Sequence, residues 1–186
     1  MQLTPRGKFL LLLGVFALPV VAAAIAYLGW RPSAHGNYGE LLRVTPLQKT
    51  VGTRLDGQAL DFAALRGQWL LVRVGGAACG AACAQQLYLS RQIRTALGKD
   101  QSRVERVWVL TDTGTPAAAL LAEHPGLVVW RPAAPDFAAQ FLGADGGERL
   151  YVVDPLGNLM MRFPAAPDPK RVLKDLRLLL KASQIG

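Results

Sequence analysis

"QWLLVRVGGAACGAAC", Gln68–Cys83, sets a short apolar, β-branched run directly against a glycine- and alanine-rich loop that holds both cysteines of the chain. Gln68–Val74 reads as a buried central strand, because it is short, apolar on both faces and followed by Gly75-Gly76. Beyond it, Ala81–Leu97 places Leu87, Ile93 and Leu97 at helical spacing, with Arg91 and Arg94 turned to water and Gly98 as the stop. A buried strand that feeds a helix through a loop of small residues is where α/β folds carry their chemistry. The cysteines at 79 and 83 therefore sit in a functional position.

The same grammar extends outward. "VERVWVLT", Val104–Thr111, is a second strand, followed by a helix from about Thr115 that His124-Pro125-Gly126 ends. "LVVW", Leu127–Trp130, is a third strand, and Pro135–Leu142 a short helix. "ERLYVVD" and "NLMMRF" form a hairpin around Pro155-Leu156-Gly157, and upstream "VGTRLDGQALDF" forms another around Asp56-Gly57. A last helix runs from Asp168, its cap, through Pro169 at the first helical position to about Ser183. It buries Val172, Leu176, Leu179 and Leu180, and its basic stripe of Lys170, Lys174, Arg177 and Lys181 reads as a solvated face. The pattern predicts one α/β domain with a partly parallel sheet and no internal repeat.

Phe9–Trp30 contains no charged residue and is long enough to cross a hydrocarbon core of about 30 Å as a helix. Arg6 and Lys8 precede it, so the positive-inside tendency places residues 1–8 in the cytoplasm, 9–30 in the membrane and the remainder outside, with Arg31 opposing that bias. A cleaved signal peptide with small residues at Ala22 and Ala24 is the competing reading, and it exports the domain equally. Residues 31–48, rich in proline and glycine, read as a tether, and 49–186 as the domain. The chain carries 21 basic and 13 acidic residues. All of the acidic residues, and all of the basic ones except Arg6 and Lys8, lie from Arg31 onward. That surplus favours acidic partners or anionic lipid. The basic residues are scattered and not interleaved with aromatics, so no nucleic-acid partner is expected.

Two thiols four residues apart on a helix share a face, close enough to join or to grip one soft metal between them. If Cys79 precedes the helix, the unpaired N–H groups of the helix start stabilise its thiolate, the species that attacks disulfides and binds Cu(I). An inert disulfide is the plain alternative, though so short a loop constrains the unfolded chain little. Zinc needs four ligands, and only His35, in the tether, and His124, read as a surface residue at a helix end, remain to be added. No GxSxG, HExxH or phosphate-binding loop occurs.

These features resemble the Sco/SenC family, membrane-anchored proteins of thioredoxin-like fold that help assemble the copper centre of cytochrome c oxidase. The likeness covers Val51–Gly186 and rests on "LLVRVGGAACGAAC", on "VWVLTDTGTP", on "LYVVDPLGN" and on the preceding membrane helix. It implies that Cys79 and Cys83 act as a redox pair or as Cu(I) ligands, that the partner is a cytochrome c oxidase subunit or another assembly factor, and that the chain spans the bacterial inner membrane once with its domain in the periplasm. Three departures stand out. Gly80 and Ala84 replace the prolines that follow the family's cysteines; Gly146, after Asp145, occupies the position of its histidine ligand; and no proline precedes the strand expected at Glu148. Two further readings follow: a thioredoxin-like domain that holds an assembly partner without chemistry, and a peroxiredoxin-like peroxidase, for which Arg73 is close but no threonine precedes Cys79.

Overall fold

The computed structural model describes residues 4–29, 36–142, 149–183 and 185. In helix α1, Pro5–Gly29, the apolar side chains from Leu11 to Leu28 are exposed. Within it, Pro5–Leu28 has a mean hydropathy of 2.7 and is long and apolar enough to cross a membrane. Pro19 lies inside it, where a bilayer helix tolerates proline.

A second compact unit, Asn37–Gly186, holds an eight-stranded mixed sheet. Its strands are β1 (Glu40–Pro46), β2 (Val51–Arg54), β3 (Ala59–Asp61), β4 (Trp69–Gly75), β5 (Val104–Leu110), β6 (Leu127–Pro132), β7 (Leu150–Val153) and β8 (Asn158–Arg162). They are ordered β1-β8-β7-β4-β5-β6-β2-β3. The central trio β4, β5 and β6 is parallel, with Val72 opposite Val107 and Val107 opposite Val128. Every other pairing is antiparallel.

All seven residues of β4 are buried, as expected of a strand with both faces covered. Leu70, Val72 and Val74 join Val107, Trp130, Phe137, Phe141 and Tyr151 on one face. Trp69 and Leu71 join the other, against Leu89, Ile93 and Leu97 around α2 (Ala81–Ala96) and Val172, Leu176 and Leu180 of α5 (Pro169–Ala182). Asp168 caps α5, its carboxylate accepting from the Arg171 N–H at 3.0 Å. The two expected hairpins, β2–β3 and β7–β8, are present.

Structure reaches back into the segment expected to be a tether. Strand β1 pairs with β8, and just before it the N–H groups of Tyr38 and Gly39 donate to the buried Asp175 carboxylate at 2.8 and 2.7 Å. Gly39 is required there, since a Cβ would lie 2.5 Å from the Met161 sulfur. The helix expected from Thr115 is short, α3 (Ala118–Ala122), because the preceding loop is held by other contacts; the next, α4, covers Asp136–Ala139.

Candidate functional site

The parallel strands β4 and β5 end together at Gly75 and Leu110, and the loops that follow lie side by side. Asp112 joins them. Its two carboxylate oxygens accept from the Ala77 N–H at 3.1 and 3.0 Å, and Oδ1 also accepts from the Gly114 N–H at 3.1 Å. The approach demands a bare backbone: a Cβ on Gly76 would stand 2.5 Å from Asp112 Oδ2, and one on Gly114 would stand 2.9 Å from the Ala77 Cβ. From β6, Arg131 donates to the carbonyls of Asp112 and Gly114 at 2.8 and 2.5 Å. The Trp108 indole N–H and the Thr111 N–H both donate to the Gly75 carbonyl, each at 3.3 Å.

This braced loop presents Cys79, half-buried, one residue before the N-cap Gly80 of α2. Gly80 is extended and contributes no side-chain cap, so the partial positive charge of the helix start is left for the neighbouring sulfur. Cys83 lies in the first turn of α2 and is 2% exposed, packed with Leu87, Trp108, Leu110 and Val129. The two cysteines are joined in a disulfide, their Cα atoms 5.2 Å apart. The buried Arg73 guanidinium stands 5.2 Å from the centre of the Trp108 ring, which itself packs with Cys83.

The predicted pair is therefore brought together, and the other candidates are not added to it. His124 is 3% exposed, which corrects its reading as a surface residue. Burial, and then Arg91 and Arg106, hold its imidazole below the usual histidine pKa. It precedes the start of β6, where Leu127 pairs with Arg106 in the first half of β5, away from the strand ends that carry the cysteines. His35, Asp145, Gly146 and Glu148 lie outside the described residues. Among the described residues no cluster of three or more His, Cys, Asp or Glu side chains is placed to hold a metal ion. Asp112 lies in the quoted "VWVLTDTGTP", but its role as a brace was not read from the sequence, and Arg131 was missed altogether; the glycines Gly76 and Gly114, which let the carboxylate in, are a further local signal.

Residues 69–183 match the family model described as the transmembrane-like, thioredoxin-like, C-terminal domain. No curated protein matches the sequence. Among solved structures, copper-bound ScoI of Bradyrhizobium japonicum is 21% identical with a TM-score of 0.56, over 72% of this chain and 99% of that one. Copper-bound yeast Sco1 is 15% identical with a TM-score of 0.63, over 76% and 96%. BsSco, a member of the Sco family of cytochrome c oxidase assembly proteins in which a disulfide switch has been identified, is 13% identical with a TM-score of 0.59, over 77% and 98%. At these identities the likeness is one of fold.

Proposed function

Since the chain belongs to the family of transmembrane-like, thioredoxin-like C-terminal domains, we propose that it is a Sco-type protein, divergent in its ligand set, that works on the assembly of cytochrome c oxidase through Cys79 and Cys83. Helix α1 anchors it in the bacterial inner membrane with the amino terminus in the cytoplasm and the domain in the periplasm. The observation that carries the reading is the pair itself: two cysteines joined across the start of α2, one half-exposed and one buried. Its partner is an oxidase subunit or another assembly factor.

The step is thiol–disulfide exchange. In the reduced protein the Cys79 thiolate attacks a disulfide of the partner; that S–S bond breaks, and the departing partner sulfur takes a proton. Cys83, deprotonated, then attacks the Cys79 sulfur of the mixed disulfide and releases the second partner thiol. Two electrons pass to the partner, and this chain keeps the Cys79–Cys83 bond. The same two thiolates are soft donors that suit Cu(I) as a cargo, with no His, Asp or Glu placed beside them to complete a three-group site among the described residues. Exchange is therefore favoured over stable copper storage. Cys83→Ser should accumulate a mixed disulfide with the partner and Cys79→Ser none; exchange that survives in Cys79→Ser sinks the assignment. A Cu(I) titration of the reduced protein against a competing chelator separates the two uses. One retained equivalent, lost in Cys83→Ser, supports delivery of copper, and no retention removes it.

A domain that only holds an assembly partner is the second reading, favoured by the same lack of a three-group metal cluster among the described residues. Oxidase assembly that persists in cells carrying Cys79→Ser and Cys83→Ser together would select it.

A further inference from the structure

Helix α5 presents a face that the core does not use. Its inward side buries Val172, Asp175, Leu176 and Leu180. On the outward side Lys170, Lys174, Arg177 and Lys181 are exposed, and they line, with Leu173 and Leu178, a shallow groove of about 400 Å³. Leu178 is 47% exposed. The spacing 170, 174, 177, 178, 181 keeps these groups on one stripe, about 16 Å long at the helical rise. The sole acid of α5, Asp175, is turned away from it and spent on the Tyr38 and Gly39 N–H groups. The stripe is thus purely basic, with two leucines in its middle.

Those hydrogen bonds also fix where the chain enters the domain. The Asp168 N–H donates to the Tyr38 hydroxyl at 3.0 Å, and the Arg171 guanidinium lies 4.0 Å from the centre of the Tyr38 ring. The entering chain is fastened to the first turns of α5 itself. Only residues 30–36 separate the end of α1 from Asn37. A chain of that length reaches at most about 30 Å when fully extended. With α1 in a bilayer, Asn37 can stand no farther than that from a lipid surface, and the stripe, which starts where the entering chain is fastened, has a high effective concentration toward it.

We propose that the outward face of α5 docks on the anionic lipid headgroups of the membrane that holds α1. The stems of Lys170, Lys174 and Lys181 reach phosphate, with Arg177 beside them held on the Ala96 carbonyl at 2.9 Å, while the leucines meet the interfacial region, as on other interfacial basic helices. The covalent reach favours this occupant over an acidic protein, which would have to find the stripe by diffusion. The inference depends on α1 lying in the bilayer and is independent of what Cys79 and Cys83 do. Docking would fix the orientation of the domain, and with it the direction in which Cys79 faces.

The test uses the full chain in lipid nanodiscs of phosphatidylcholine alone or with phosphatidylglycerol, and reads the acylation rate of each lysine by mass spectrometry. Failure to enter the discs at all would reject the anchor, and with it the docking that depends on it. In the anionic discs Lys170, Lys174 and Lys181 should react at least about threefold more slowly, as each basic group near such a surface is worth about a fivefold preference. Lys49 and Lys99 serve as internal references and should not change. Half-molar salt should abolish the protection, and Lys170→Gln with Lys174→Gln should return Lys181 to its rate in neutral discs. Equal rates in the two discs would overturn the proposal. So would protection that appears only when an acidic protein is added to neutral discs.

Discussion

Replacing Asp112 with alanine should make the Cys79–Cys83 disulfide easier to reduce. The carboxylate takes two backbone N–H groups, those of Ala77 and Gly114, and the first lies two residues from Cys79. Charge-assisted hydrogen bonds are worth about 1.5–3 kcal/mol each when buried, but Asp112 is exposed, so we discount the pair to about 1–2 kcal/mol in total. In the oxidised protein the loop is held by the disulfide as well. Once the disulfide is reduced, the Asp112 bonds to the Ala77 and Gly114 N–H groups still tie the loop that carries Cys79. Without them the effective concentration of one thiol toward the other falls, and loss of a negative charge beside Cys79 favours its thiolate. Both effects stabilise the reduced form relative to the disulfide. At about 30 mV per 1.4 kcal/mol for a two-electron couple, the potential should rise by about 20–45 mV. Equilibration in glutathione buffers, read by the fluorescence of the tryptophans that include Trp108 beside Cys83, measures it. Asp112→Asn keeps an acceptor and drops the charge, so it should show a smaller rise. A potential that is unchanged or more negative in Asp112→Ala refutes the bracing argument.

Gly39→Ala places a Cβ 2.5 Å from the Met161 sulfur and 2.8 Å from the Phe163 ring. It should cost about 1–3 kcal/mol by overpacking, seen as a lower midpoint in urea, and an unchanged midpoint would mean that β1 and its entry are not fixed as described. His124 titrates below its ordinary pKa in the folded protein, through burial first and the neighbouring Arg91 and Arg106 second. The unfolded chain therefore takes up a proton near pH ~6.5 that the folded one refuses. Stability from this group is complete above that pH and is lost as pH falls below it toward the lowered folded value. Thermal midpoints should drop between about pH 7.5 and 5.5, and His124→Gln should flatten that slope; a slope unaltered by the substitution assigns it to other groups.

The elements legible in the sequence are those whose signals are local. The run into Gly75-Gly76 marks β4, Asp168-Pro169 marks the start of α5, and turn residues mark both hairpins. Strand β1 has no such signal. Most of its residues are exposed, Leu41 and Val44 by 49% and 59%, so no alternation arises. Its support comes from β8 and from Asp175, 136 residues after Gly39. Likewise, nothing near Thr115 forbids a helix. The loop Thr111–Ala117 stays open because Asp112 and Arg131 bind its backbone, a pairing across 19 residues that no periodicity reveals. His124 before Pro125-Gly126 looks like a helix end on the surface. It does follow the helix end, but it is buried, against the Arg91 of α2 that donates to the Glu123 carbonyl and the Arg106 of β5 that donates to the Pro125 carbonyl.

The unequal burial of the two cysteines gives the proposed chemistry a direction. Cys83 is enclosed by Leu87, Trp108, Leu110 and Val129, so a partner sulfur approaching the reduced pair meets Cys79 first, beside the uncapped start of α2. A bulky mixed disulfide fits only at the half-exposed position, and the buried thiol is then already behind the bond it must attack. Cu(I) arriving as cargo would follow the same path, passing from the outer sulfur to both. On the proposed reading, redox exchange and metal handling would use one entrance, and its rim is the Gly76–Gly80 loop fastened by Asp112. A partner that reads this entrance must contact the segments around Cys79 and around Thr111–Gly114 together, because the carboxylate joins them into a single surface.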